Sequence, residues 1–80
     1  RIGDGVTIGG AALIGAGVTV HDGALIGPHC TISPLCEIGA GATILANSFL
    51  RAGTRVGEGE TWGGVPAQRI ETHGEAAAHE

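Results

Sequence analysis

Beginning at Ile2, every sixth residue is large and apolar: Ile2, Ile8, Ile14, Val20, Ile26, Ile32, Ile38, Ile44, Leu50, Val56 and Trp62. The register never slips. A run of that regularity is an internal repeat before it is any helix or strand, because repeat architectures bury their apolar columns only by stacking successive units.

Other columns of the repeat are equally selective. Four residues after the first ten anchors come Val6, Ala12, Val18, Ala24, Cys30, Cys36, Ala42, Ser48, Thr54 and Glu60, nearly all small. Three residues after them come Gly5, Ala11, Gly17, Gly23, His29, Leu35, Gly41, Asn47, Gly53 and Gly59. Most of these are residue types that tolerate a positive φ in a turn. Each unit therefore reads as a short strand followed by a tight turn, with Val18 and Val20 pointing inward and Thr19 and His21 outward. Three strands make a triangular coil of about eighteen residues, and coils stack as parallel strands roughly 4.8 Å apart.

Residues eighteen apart become neighbours, which assigns three faces. One face directs Leu25 and Leu45 outward, a second Leu13 and Phe49, and the third Thr19, His21, Glu37 and Arg55. Two faces are thus apolar outside, and such a surface on a small chain predicts self-association. On the third, Glu37 and Arg55 stack as a cross-strand ion pair, worth under about 1 kcal/mol at a surface.

The pattern resembles the bacterial transferase hexapeptide repeat, whose fold is a left-handed parallel β-helix. The resemblance covers residues 2–67 and implies an all-β chain of about three and a half coils. The β-helix is expected over residues 1–67 and a tail, as a short helix or disordered, over 68–80. Arg1 already lies inside a repeat, so the chain is expected to be a fragment or to have further coils before it. At the other end Trp62 is expected to cover the last coil and Pro66 to stop strand pairing. Gly64, Val65, Pro66 and Ala67 resemble the Gly-x-Pro-Ala terminator of hexapeptide acyltransferases, where the following basic residue helps hold the coenzyme A phosphate. Here that position is Gln68, with Arg69 one later, so the resemblance implies cofactor contacts at Gly64, Pro66, Ala67 and Arg69.

Charge and composition narrow the partners. A net charge of −4, with four Arg and no Lys, argues against a nucleic-acid binder. There is no apolar segment of membrane length and no signal peptide in this sequence, so a soluble, cytoplasmic protein is expected. Cys30 and Cys36 fall in the small inward column and read as reduced core residues, with no second pair at zinc spacing.

Chemistry is expected from two histidines. His21 replaces the Gly favoured at its position and lies near Asp22 and Asp4. It reads either as a solvated side chain beside turn carboxylates or as a general base whose pKa a carboxylate tunes. His29 occupies a turn position otherwise held by Gly or Asn, with Asn47 stacked below. It reads either as a residue tolerant of positive φ or as the base of an acyl transfer whose oxyanion nearby donors steady. His73 and His79 are given no role. A γ-class carbonic-anhydrase-like metal site fits worst: His21 and His29 are too close in sequence for that family's ligands, and no metal is expected.

The resemblance thus implies an acyltransferase moving an acyl group, acetyl in the first instance, from acetyl-CoA or another acyl-CoA to a hydroxyl or amine of a small molecule. It further implies a homotrimer. The alternative is a non-catalytic module, since the chain also looks like hexapeptide segments appended to certain large bacterial nonribosomal peptide synthetases.

Overall fold

The computed structural model describes residues 1–70 and contains eleven strands and no helix among them. The strands are β1 (Thr7–Ile8), β2 (Leu13–Ile14), β3 (Thr19–Val20), β4 (Leu25–Ile26), β5 (Thr31–Ile32), β6 (Glu37–Ile38), β7 (Thr43–Ile44), β8 (Phe49–Leu50), β9 (Arg55–Val56), β10 (Thr61–Gly64) and β11 (Ala67–Ile70). They form three sheets, ordered β1-β4-β7-β10-β11, β2-β5-β8 and β3-β6-β9. The chain is a left-handed parallel β-helix of about three turns.

The eighteen-residue offset holds in all three sheets. Ile8 pairs with Ile26, Ile26 with Ile44, and Ile44 with Trp62. Ile14, Ile32 and Leu50 pile up in the same way on the second sheet, and Val20, Ile38 and Val56 on the third. Ile26, Ile32, Ile38, Ile44 and Leu50 are essentially inaccessible to solvent. Burying each such side chain stabilises by about 1.5–3 kcal/mol relative to exposure. Ile2 and Ile8 belong to the same column but are 47% and 40% exposed, because they lie on the outermost coil and contact one neighbouring coil instead of two.

All ten expected turn positions adopt positive φ. Six are Gly, and the others are Ala11, His29, Leu35 and Asn47, at φ between 60° and 67°. His29 and Asn47 suit that region, whereas Leu35 adopts it at a steric cost of roughly 1–2 kcal/mol. A different need fixes Gly27: a Cβ there would lie 2.7 Å from the amide nitrogen of Ala46 in the next coil.

The small inward column fills the corners. Cys30 and Cys36 are buried free thiols whose Sγ atoms donate to the carbonyls of Leu45 and Arg51, at 3.0 and 3.1 Å. Phe49 is only half-buried, screened more than its outward direction implies, while Leu35 adds an exposed apolar corner that the face assignment left out.

The end of the coil differs from expectation. Strand pairing does not stop at Pro66: β11 folds back antiparallel on β10, with Ala67 opposite Gly64 and Ile70 opposite Thr61. Proline lacks an amide donor, but at a hairpin turn no ladder bond is needed from it, so pairing resumes one residue later. The first residues of the expected tail are therefore a strand, and Ala67 is buried against the core. Residues 71–80, including His73 and His79, lie outside the described residues. Among the described residues no helix is long and apolar enough to cross a membrane.

Candidate active site

His21 directly follows β3, where the chain leaves the third sheet, and its side chain is about half exposed. Its Nε2 lies 2.8 Å from Oε2 of Glu37, which opens β6 in the coil below. The bond from the imidazole, aided by the charge of Arg55, holds the Glu37 carboxyl below the usual carboxylate range against the opposing effect of partial desolvation. With Nε2–H donating to the carboxylate, Nδ1 carries the lone pair and accepts no hydrogen bond from the described residues. A carboxylate that fixes one imidazole nitrogen leaves the other oriented as a base.

This pairing corrects the expected Glu37–Arg55 ion pair. The two residues do stack in register. The carboxylate nevertheless turns to His21, sixteen residues away on the diagonal, because the imidazole offers a short, aligned hydrogen bond. Asp22, expected near His21 as its carboxylate, instead accepts from the Asp4 amide at 2.8 Å.

A groove of ≈ 680 Å³ runs along the corner between the third sheet and the first, lined by His21, Glu37, Arg55, Glu58, Glu60, Trp62 and Arg69 among others. Its far end is organised by Glu60. That carboxylate accepts from Trp62 Nε1 at 3.0 Å, from the Gly57 amide at 2.8 Å and from Arg69 Nη1 at 3.3 Å. The Trp62 bond first, then the Gly57 amide and the Arg69 charge, hold the Glu60 carboxyl below its ordinary range, again against some desolvation. Glu60 breaks the small inward column for this reason: at the last coil it ties turn, ring and returning strand together. Trp62 is half-buried and packs its ring on the core.

The residues expected to cooperate divide between two corners. His21 and Arg69 line the groove. His29 does not: it lies in the turn between the first and second sheets, exposed, its amide bonded to the Gly10 carbonyl, with Asn47 bonded to Pro28 below it. Gly64 and Pro66 form the hairpin turn on that second corner, where the Gly64 amide meets Ser48 Oγ at 3.3 Å. Ala67 is turned into the core. Glu37 and Glu60 are the groove residues whose roles sequence reasoning missed. The signal for Glu60 was its break of the small column, and for Glu37 its diagonal distance from His21. No group of three or more His, Cys, Asp or Glu that could hold a metal ion occurs among the described residues.

Comparison with known proteins gives a consistent family context. The family model described as bacterial transferase hexapeptide (six repeats) matches residues 1–34. No curated protein matches the chain. Among solved structures, the hexapeptide-repeat containing-acetyltransferase VCA0836 from Vibrio cholerae is similar with TM-score 0.66 at 15% identity, over 89% of this chain and 66% of that one. The same enzyme from Vibrio cholerae O1 biovar eltor, complexed with acetyl coenzyme A, is similar with TM-score 0.65 at 22% identity, over 90% of this chain and 59% of that one. A Bacillus cereus protein provisionally described as an acetyltransferase gives TM-score 0.61 at 22% identity, over 94% and 76%. At these identities the likeness is one of fold, and this chain spans less than two-thirds of the Vibrio enzymes' length.

Proposed function

We propose that this chain, whose residues 1–34 match the bacterial transferase hexapeptide model, is an acyltransferase domain. It passes an acyl group, acetyl in the first instance, from an acyl-CoA to a hydroxyl or amine of a small molecule. The observation that carries this reading is the His21–Glu37 pair, set at 2.8 Å on the edge of a ≈ 680 Å³ groove. A groove of that size suits a small-molecule site.

The proposed step uses His21 as general base. Its Nδ1 takes the proton from the acceptor hydroxyl or amine as that atom attacks the thioester carbonyl, giving a tetrahedral oxyanion. The C–S bond then breaks, the thiolate leaves with the electron pair, and the imidazolium returns the proton to sulfur. Glu37 stabilises the transient imidazolium and keeps the ring oriented. Arg69 is placed on the acyl-CoA side, as a cation for the coenzyme A phosphates. Gly64, Pro66 and Ala67 support that side by returning the chain so that Arg69 reaches the groove. His29 has a sufficient backbone reason for its position and is left out of the step.

The same reading takes the working unit as a homotrimer, supported by exposed Leu25 and Leu45 on the outer face of the first sheet. Among the described residues no ligand set supports a γ-carbonic-anhydrase-like activity. Titration calorimetry with acetyl-CoA tests the reading: a trimer that binds it and releases CoA in the presence of an acceptor supports acyl transfer. A trimer that does not bind it favours a non-catalytic β-helix module, a reading in keeping with coils that run without an inserted loop.

A further inference from the structure

The groove contains a cation that the fold leaves uncommitted. Arg55 begins β9, points outward and is exposed, and it forms neither a hydrogen bond nor an ion pair with the described residues. Its register partner Glu37 attracts it electrostatically but gives its carboxylate oxygen to His21. We propose that Arg55 is an anion-binding residue: it holds a single carboxylate or phosphate group of a small-molecule ligand beside His21. Resting on the acyl-transfer reading, that ligand is the acyl acceptor.

The chemistry follows from the guanidinium. It is a planar fork of donors, always charged, whose geometry matches a carboxylate or phosphate bidentately. Exposed and unpaired, it holds those donors ready at little cost in broken contacts. Its position supplies the second step. Glu37 touches His21 and is the register partner of Arg55, and all three line one groove, so an anion on Arg55 shares that groove with the imidazole. The nucleophilic atom must meet His21, so anion and nucleophile belong to one compact molecule.

The remaining charges set the size of the anion. Glu58 lines the same groove with no hydrogen bond or ion pair to a described residue, and Glu60 lies beyond it with its carboxylate held by three donors. An extended polyanion such as a nucleotide diphosphate laid along the groove would meet the like charges of Glu37, Glu58 and Glu60, and one small anionic group meets fewer of them. That distinction separates the acceptor from the phosphates of the donor, which fall to Arg69.

Trp62 is the single tryptophan of the chain and lines the groove, so its fluorescence reports occupancy. The protein is titrated with acetate and, separately, inorganic phosphate, following Trp62 emission and the His21 imidazole resonances. A saturable change is expected, weakened about tenfold or more in Arg55→Gln and unaltered in Arg51→Gln, whose side chain is outside the groove. Equal titration of wild type and Arg55→Gln, or no saturation in either, overturns the site whether or not acyl transfer occurs. Kinetics with acetyl-CoA and the acceptor pairs propylamine/β-alanine and glucosamine/glucosamine 6-phosphate then identify the source of the anion. A preference for the anionic member that Arg55→Gln removes through its KM supports the acceptor assignment. A rise in the KM of acetyl-CoA alone overturns it. Anion binding without transfer to any acceptor overturns both the acceptor assignment and the proposed activity, while leaving an anion site at Arg55.

Discussion

At the scale of single residues, the difference between His21 and His29 is one of what each side chain touches. His21 is held by Glu37 at a groove edge; His29 is in a turn at another corner. Under the acyl-transfer reading His21→Ala lowers kcat/KM about 100-fold or more, because a positioned base contributes that much, while His29→Ala stays near wild type. Steady-state kinetics on the two variants checks this, and equal losses would return His29 to the mechanism. Glu37→Gln retains shape but removes the charge behind the imidazolium, so its expected loss is in kcat, with KM little changed. The sequence made His21 conspicuous because it interrupts a Gly column. It could not show Glu37 as its partner, since the eighteen-residue register points Glu37 at Arg55 and the hydrogen bond runs along a diagonal that only side-chain geometry selects. Arg69 was legible through the terminator resemblance, but its contact with Glu60 depends on a reversal of the chain that Pro66 seemed to forbid.

Among the elements, the stacked strands were readable and the closing hairpin was not. Strict spacing determined the inward columns and the positive-φ turns, because every coil repeats the same steric problem. Ile38, with coils on both sides and no exposure, is a sensitive probe of that stacking. Ile38→Asp would bury an unpaired carboxylate and is expected to destabilise by several kcal/mol, seen as a large drop in thermal midpoint. The hairpin β10–β11 occurs once, so no repetition announces it, and it is fastened by Glu60 to Gly57, Trp62 and Arg69. The folded carboxyl titrates below its unfolded counterpart, near 4.3 for Glu. Its stabilising effect is therefore complete above the unfolded value and disappears as pH falls through the folded one. Thermal melts between about pH 6 and pH 3 should show a falling midpoint, and Glu60→Gln should fall less steeply. Some acid dependence should persist in that variant, because Glu37 is shifted in the same direction. Identical slopes would mean that the hairpin is held by its backbone ladder alone.

For the whole molecule, the three sheets pose different surface problems, and the groove sits between two of them. The third sheet is polar outside and needs no cover. The first exposes Leu25 and Leu45, 44% and 43% accessible, and a Cβ at Gly63 would touch both Leu45 Cδ1 and Ile70 Cδ1, so Leu45 and Ile70 lie side by side as an apolar patch on that sheet, with Leu25 on the same face. The second exposes Leu13 at 67%, but half-buried Phe49 leaves it a smaller patch. Contiguous apolar surface marks interfaces better than isolated residues do, so the first sheet is the expected contact between copies. Leu25→Glu with Leu45→Glu places two like charges on that face in each copy without touching the core, so the variant should fold normally. Under the proposed trimer, it should sediment as a monomer at micromolar concentration while the wild type sediments as the larger assembly. The first sheet also borders the groove, so a neighbour docked there would wall the site, and the monomeric variant should bind acetyl-CoA more weakly than wild type. Leu13→Glu, on the sheet away from the groove corner, should alter neither property. If Leu13→Glu alone dissociates the assembly, the second sheet is the contact and the groove is complete within one chain.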